Sequence, residues 1–350
     1  MDVYILGRDY NAVGVLDYCS SIIWTRRYCN VGDFELYIPA TQEAIALCKI
    51  GNLAQRADRP KSLMRIDTVK LSTNEESGDY LTVSGRGIEG MLSWRIVWNQ
   101  TNLSGLVTAA VHQLLNENLI APAIAERRVD GLVLGEPCAC SITIQKQITG
   151  TNLLDAVKDL LESYNLGFKM EFEGGSLVFS VYEGVDRSMR QTDRPPVVFS
   201  IEYDNLLSTE YDASTASYKN VALVAGEGEG VARRTYAVGA ASGLDRFEVY
   251  VDARDISSET DAGTIAEAEY NALLEEQGKE ALAEAVATQA FSGTIEPNTN
   301  AVFEIDYNIG DVVQITNEYG ISSAARIVEM IESWDENGYN CTPTLDSKEV

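Results

Sequence analysis

Short segments of alternating apolar and polar residues, punctuated by Gly, Asp and Asn, dominate the chain. Phe303-Glu304-Ile305-Asp306-Tyr307 places three apolar side chains on one side and two acids on the other. Phe247, Val249 and Val251 alternate in the same way, as do Val313-Gln314-Ile315-Thr316 and Ile142-Thr143-Ile144-Gln145. A period of two with one buried and one wet face predicts strands of antiparallel sheets. Tyr307-Asn308-Ile309-Gly310-Asp311 reads as a tight turn between two of them, because Asn and Gly tolerate positive φ.

Three stretches switch to a helical period. Leu103, Val107, Val111 and Leu114 recur at three- and four-residue steps after Asn102, a suitable N-cap. Leu153, Val157, Leu160, Leu161 and Tyr164 do so after Asn152, with Asp155 completing a capping-box pattern and Gly167 as terminator. That helix leads into Phe168–Phe172, a Glu173-Gly174-Gly175-Ser176 turn and Leu177–Tyr182, which together predict an αββ unit. The third helix is expected near 264–289, rich in Ala and Glu, with Gly278 a possible break point. The fold class is therefore α+β and β-rich. Connections are expected near Trp94–Thr101 and at Arg187–Pro196, and no repeat at a fixed period suggests a solenoid.

Composition narrows the chemistry. The 350 residues are 45% hydrophobic, enough for a packed core, and length alone suggests two or three domains. Fifty-three acids against 27 Lys and Arg give a net charge of −26, which repels phosphate backbones and anionic membranes. His112 is the single histidine, so a multi-histidine zinc site cannot be built. It lies off its helix's apolar stripe and reads as a solvated side chain rather than a general base. Six cysteines are spread over the chain. Only Cys138-Ala-Cys140 are close, and adjacent strand positions explain them as well as a metal does. The N-terminus lacks a signal-peptide pattern, and no apolar run approaches the ~20 residues of a membrane span.

Three motifs invite a functional reading and are better explained otherwise. Gly226-Glu227-Gly228-Glu229-Gly230 carries two glutamates where a phosphate cradle needs cations, and a strand over Val231–Val238 follows it instead of a helix. Gly85-Arg86-Gly87-Ile88-Glu89-Gly90 misses the third glycine of G-x-G-x-x-G, where Met91 stands. Glu248, Asp252, Asp255 and Asp261 could pair for glycoside hydrolysis or bind Ca²⁺, but Arg246 and Arg254 sit ready as salt partners. Trp24, Trp94, Trp98 and Trp334 read as scattered, destined for a core or an interface rather than a stacking platform. Basic and aromatic residues do not alternate along any groove-like stretch expected of a single-strand binder. No catalytic, cofactor-binding or metal-ligating residues are assigned.

The order of several segments nevertheless resembles a known family. Val224–Gly230, Arg233-Arg234-Thr235, Gly243–Glu248 and Tyr250–Ile256 are similar to tail-tip proteins of long-tailed, non-contractile bacteriophages and prophages. Arg27-Tyr28 with Val31–Leu36, Val83–Leu92, Tyr307–Val313 and Arg326–Glu329 extend the resemblance over nearly the whole chain. The resemblance implies a baseplate-hub architecture: two antiparallel β-barrel tube domains with smaller inserted α/β domains. On that basis residues 1–93 form the first barrel, 94–182 the αββ-containing insert, and 183–350 the second barrel with a helical insert near 264–289.

It further implies a non-enzymatic virion protein of the tail tip, assembled in the bacterial host cytoplasm. Three copies would set six barrels around a central channel, linking the tail tube and distal tail protein to the tip. The implied partners are a homotrimer, the distal tail, tail-tube and tape-measure proteins, and DNA in passage without specific binding. No membrane segment and no cofactor are expected. Some relatives carry a C-terminal peptidoglycan hydrolase; this sequence stops at Val350 soon after its last barrel-like strands, so no lytic role is expected. The competing readings are a cell-wall glycosidase, which needs a raised-pKa acid beside an ionised one, and a host-glycan binding module.

Overall fold

Alternation in the first ninety residues produces seven strands and one short helix: β1 (Val3–Leu6), β2 (Ala12–Leu16), β3 (Ser21–Arg27), β4 (Asp33–Pro39), α1 (Gln42–Leu47), β5 (Leu53–Arg56), β6 (Leu63–Ser72) and β7 (Tyr80–Gly87). They are seen in a computed structural model that describes residues 1–73, 78–260, 263–295 and 301–346. The strands pair antiparallel in the order β3-β4-β7-β6-β5-β1-β2. Phe34, Leu36 and Ile38 of β4 point into one core, and Glu35 and Tyr37 point out. Leu16 of β2 and Ile22 and Trp24 of β3 belong to that same core, so the two ends of the order curl around it. A bulge in β6 after Ile66 tightens the curl. Opposite it, a Cβ on Gly85 would lie 1.8 Å from the Arg65 carbonyl oxygen, a contact no other residue could make. Thr41 caps α1 by accepting from the Ala44 N–H, and Leu47 covers one end of the core.

The chain then builds β8 (Thr101–Leu106), α2 (Val107–Leu115), β9 (Leu132–Leu134), β10 (Thr143–Ile148), α3 (Leu153–Glu162), β11 (Gly167–Glu173) and β12 (Ser176–Tyr182). β8 pairs with β10, and β12 lies between β11 and β9. The αββ unit forms as expected, with Asn152 accepting from the Leu154 N–H and Gly174 and Gly175 at φ 56° and 87° in the hairpin turn. Two details differ. Asn102 and Leu103 lie on β8, where Gln147 across the ladder donates to Asn102, and the helix begins only at Val107. The terminator of α3 is Asn165, at φ 55°, rather than Gly167. Gly167 instead starts β11, where a Cβ would meet the Tyr28 ring at 2.3 Å. Leu114, Val157, Leu160 and Phe179 pack together with Leu6, Leu53 and Met91, so this core continues into the first sheet.

The rest of the chain supplies β13 (Val198–Ser200), β14 (Leu206–Ser214), β15 (Val221–Ala225), β16 (Thr235–Val238), β17 (Glu248–Asp252), β18 (Glu259–Thr260), β19 (Gly263–Thr264), α4 (Glu267–Glu284), β20 (Thr288–Ile295), β21 (Val312–Thr316), β22 (Ser322–Asp335) and β23 (Gly338–Asp346). β14 and β20 form an antiparallel ribbon, and the chain between them folds as a three-stranded sheet, β16-β15-β17, against α4. The helix is shorter at both ends than its composition suggests, because Thr264 belongs to β19 and Thr288 and Gln289 enter β20. Gly278 does not break it. A Cβ there would press on Val224 and Val238, so the glycine allows the helix to lie close on the sheet.

Phe303–Tyr307 is not a strand. Phe303 and Tyr307 bridge the two sides of a turn in which Glu304 has φ 67° and Asp306 accepts from the Val302 N–H. The two rings pack 5.6 Å apart without extended pairing, but Ile305, expected on the same side, is 76% exposed.

β22 joins the halves. It pairs with β21 through Ser322–Arg326, with β23 through Arg326–Asp335, and with β3 through Glu329–Trp334. One sheet thus runs β14-β20-β23-β22-β3-β4-β7-β6-β5-β1-β2, with β21 also paired to β22 and β13 beyond β21. Among the described residues neither curled half is hydrogen-bonded shut, and β2 and β14 remain its end strands. The architecture is a β-rich α+β fold with several sheets and three further hydrophobic clusters around the first core.

Candidate functional site

Where β22 meets β3, polar side chains from four distant stretches converge. Glu332, at 1% exposure, accepts from Arg56 Nη1 at 3.1 Å, Arg59 Nη2 at 2.9 Å, Arg26 Nη2 at 3.2 Å and the Tyr339 hydroxyl at 3.2 Å. Arg56 is fully buried, with its guanidinium 4.0 Å from the centre of the Trp334 ring and forked onto Asp58. Arg26 and Arg59 also share Glu304, from the turn that replaced the expected strand. Strand alternation explains the placement: Met330 and Glu332 lie two residues apart on the buried face of β22. Burial pushes the Glu332 carboxyl up, but Arg26, Arg56 and Arg59 outweigh it and hold the pKa at about 2.

A cleft of about 680 Å³ opens beside this network, lined by Arg26, Arg59 and Lys61, by Lys169 and Tyr182, and by Glu304 and Asp311. Glu304 and Asp311 are committed. Asp311 accepts from the Val185 and Asn308 N–H groups and from Arg187 Nε, which pins the expected linker at Arg187 onto the last sheet. Burial raises the pKa of Glu89, whose carboxylate accepts from the Gly32 N–H, and the charged side chain acting on it is Arg27 rather than a second carboxylate. A second cleft of about 480 Å³ lies between α3, the end of α4 and β22, with Arg27, Arg326, Lys158 and Glu329 in its walls. What the junction does chemically is bind its own charges and tie four stretches of the chain together.

The residues singled out in the sequence are dispersed. His112 is half-buried on α2, not solvated: its Nε2 is covered without a hydrogen-bond partner, and burial lowers its pKa. Cys138 and Cys140 lie in the loop between β9 and β10, not on a strand, with their thiols in contact with each other. Among the described residues no three His, Cys, Asp or Glu side chains are grouped to hold a metal. The Gly226–Gly230 string is a bend: Gly226 admits the Tyr270 hydroxyl, and Gly228 and Gly230 have positive φ. Glu227 there accepts from the Ser258 N–H and hydroxyl. Only Thr235–Val238 of the expected following strand is extended; Gly230–Ala232 is a 3-10 turn. Of the acid group, Asp252 pairs with Arg233 and Arg254 and Glu248 with Arg246, a surface ion network; Asp261 lies outside the described residues.

Two features escaped sequence reading. The arginines at 26, 56 and 59 are too far from Glu332 for any local pattern to link them. Trp94 and Trp98 are exposed, at 45% and 56%, whereas Trp24 is buried. Their alternation with Ile96 was a visible signal.

The sequence profile of the family described as Siphovirus ReqiPepy6 Gp37-like protein matches residues 2–345. The chain belongs to that family. No curated protein matches it. Solved structures similar to this Gp37-like chain include prophage and tail proteins. One is the tail protein from Neisseria meningitidis MC58, with a TM-score of 0.60 at 14% identity, covering 99% of this chain and 96% of that one. Another is the 43 kDa tail protein of prophage MuSo2 from Shewanella oneidensis, at 0.60 and 11% identity, covering 99% and 98%. A third is prophage tail protein gp18 from Listeria monocytogenes EGD-e, at 0.56 and 13%, covering 100% and 96%. At these identities the likeness establishes the fold. The chain is a phage tail protein by family, and no helix among the described residues is long and apolar enough to cross a membrane.

Proposed function

We propose that this Gp37-like protein is a structural hub of the tail tip. In this reading residues 1–93 and 183–350 act as two tube-type domains, and 94–182 and the helix-bearing insert stand outside them. Three copies surround a channel and connect the tail tube and distal tail protein to the tip, with the tape-measure protein and DNA passing through. The protein acts by holding geometry and carries out no reaction.

The observation that carries the reading is the joint at β22. Two curled half-sheets share one strand, and a buried arginine–glutamate network ties them. Two modules tied in fixed register suit a tube wall, whereas a binding cleft or a hydrolase has no need of such a joint. The full-length family match supports the tail assignment. The test is the copy number in assembled tails, by imaging or quantitative mass spectrometry against the tube protein. Three copies in a ring at the tip is the expected result; one or six copies, or a location along the tube, overturns the hub reading.

A further inference from the structure

Two surface strips of opposite character remain outside this reading. The first follows Ser93, where Trp94, Ile96 and Trp98 are exposed at alternate positions and Val97 is buried between them. Each tryptophan is braced by one arginine, Arg65 at 5.0 Å from Trp94 and Arg127 at 5.4 Å from Trp98. Arg95 Nε donates to the Arg127 carbonyl at 3.2 Å, and Arg127 donates to the Ile96 carbonyl and to Asn118. Among the described residues neither Arg95 nor Arg127 has a carboxylate within ion-pair distance. Burial and the neighbouring Arg95 both press on the Arg127 charge. In a chain with 26 surplus acids, two uncompensated guanidiniums beside two open indoles stand out. Trp and Arg are the residues most enriched where binding energy concentrates.

The second strip leads into and along β14, which pairs with β20 on one side only. Tyr203, Leu207 and Tyr211 are exposed there, interleaved with exposed Glu202, Asp204, Glu210 and Asp212. No Lys or Arg occurs from 195 to 218, and none of these four acids forms an ion pair among the described residues.

We propose that the two strips are the halves of one head-to-tail contact, with Trp94, Trp98, Arg95 and Arg127 of one copy docking on the acidic, aromatic 201–212 strip of the next. The inference rests on the trimer reading, because one heterologous contact repeated by rotation closes a ring. Charge complementarity selects a second copy as the occupant: the unpaired cations of one strip match unpaired acids that the chain itself carries. The contact also sets cations against acids, which opposes the mutual repulsion of two chains of charge −26.

The test places a photo-crosslinking residue at Trp98 of the full-length protein, over a concentration series, with charge reversals read by light scattering. Crosslinks from 98 to residues 201–212 of another copy are expected. Arg95→Glu with Arg127→Glu, or Glu210→Lys with Asp212→Lys, should weaken self-association roughly tenfold or more, and combining all four should restore it. Crosslinks to any other segment, no crosslink between copies, or a combined variant as weak as its parents overturns the contact. So does capture of duplex DNA or an anionic glycan at position 98 in place of a second copy. Three copies per tail in the reversed variants would remove this contact and leave the hub reading standing; a copy number other than three in wild-type tails removes the hub reading itself.

Discussion

Replacing Glu332 tests the joint at its centre. Its carboxylate is 1% exposed and takes hydrogen bonds from three arginines and a tyrosine. In Glu332→Gln the side chain keeps its shape and loses its charge, leaving Arg56 with Asp58, and Arg26 and Arg59 with Glu304. Breaking one partner of a buried ion pair costs about 3–5 kcal/mol, and here three clustered arginines are left to two acids, Asp58 and Glu304, that are 40% and 36% exposed. The carboxyl's pKa gives a second route to the magnitude. It falls from the ordinary 4.5 to about 2, and at about 1.4 kcal/mol per pH unit this is about 3 kcal/mol.

Because the folded pKa lies below the unfolded one, that stability is complete above about pH 5 and is lost as pH falls from about 4.5 toward 2. Urea unfolding of wild type and variant at pH 7 should therefore differ by about 3 kcal/mol, out of a total of about 5–15 for a typical protein. The gap should narrow steadily between pH 4.5 and 2.5. A difference under about 1 kcal/mol at pH 7, or a gap that does not change with acid, refutes the idea that this glutamate is held ionised by the arginines.

Other substitutions probe neighbouring joints. Gly310→Ala puts a Cβ 2.3 Å from the Tyr28 ring at φ 94°, and should lower the melting midpoint by the equivalent of about 2–4 kcal/mol, read by calorimetry. Asn165→Gly keeps the left-handed turn after α3 and should leave the melt within about 0.5 kcal/mol, whereas Asn165→Val should cost about 1–2 kcal/mol. Zymography on bacterial cell walls with the purified chain should show no clearing; a zone abolished by Glu89→Gln would restore the glycosidase reading.

The elements legible in the sequence are those whose signal is local. The hairpin at Gly174-Gly175 and the cap at Asn152 each sit within four residues of what they control, and both are where the pattern puts them. Boundaries were blurred where one pattern fitted two structures. Leu103 and Val107 are four apart whether they begin a helix or straddle the β8–α2 junction, and Phe303 and Tyr307 can share a face in a turn as well as in a strand. The joint itself was invisible. β22 meets β3 across some 300 residues, and an arginine's partner at that distance is chosen by topology, not by spacing. The exposed Trp94-x-Ile96-x-Trp98 alternation was within reach, but the scatter of the four tryptophans pointed only to a core or an interface and did not separate Trp94 and Trp98 from buried Trp24.

Charge placement decides the last prediction. Of the 27 basic residues, Arg26, Arg56 and Arg59 are spent inside on Glu332 and Glu304, Arg187 on Asp311 and Lys146 on Glu280. With Asp58, which Arg56 also holds, these five cations meet five acids, so the rest of the chain carries the full surplus of acid on fewer cations than the composition suggests. A DNA duplex approaching such a surface loses little from its counterion atmosphere and meets like charge, which leaves no term to drive retention. Passage through a channel walled by this chain would then be free of sticking. Labelled duplex should show no saturable anisotropy change with the purified protein, even at low salt where electrostatic binding is strongest. Tight binding that weakens steeply with added salt would show that the basic residues are gathered on a surface facing the DNA, and would end the account of a repulsive wall. If such binding vanished in the Arg95→Glu, Arg127→Glu chain, the cations responsible would be those beside Trp94 and Trp98, and that strip would belong to nucleic acid instead of to a second copy.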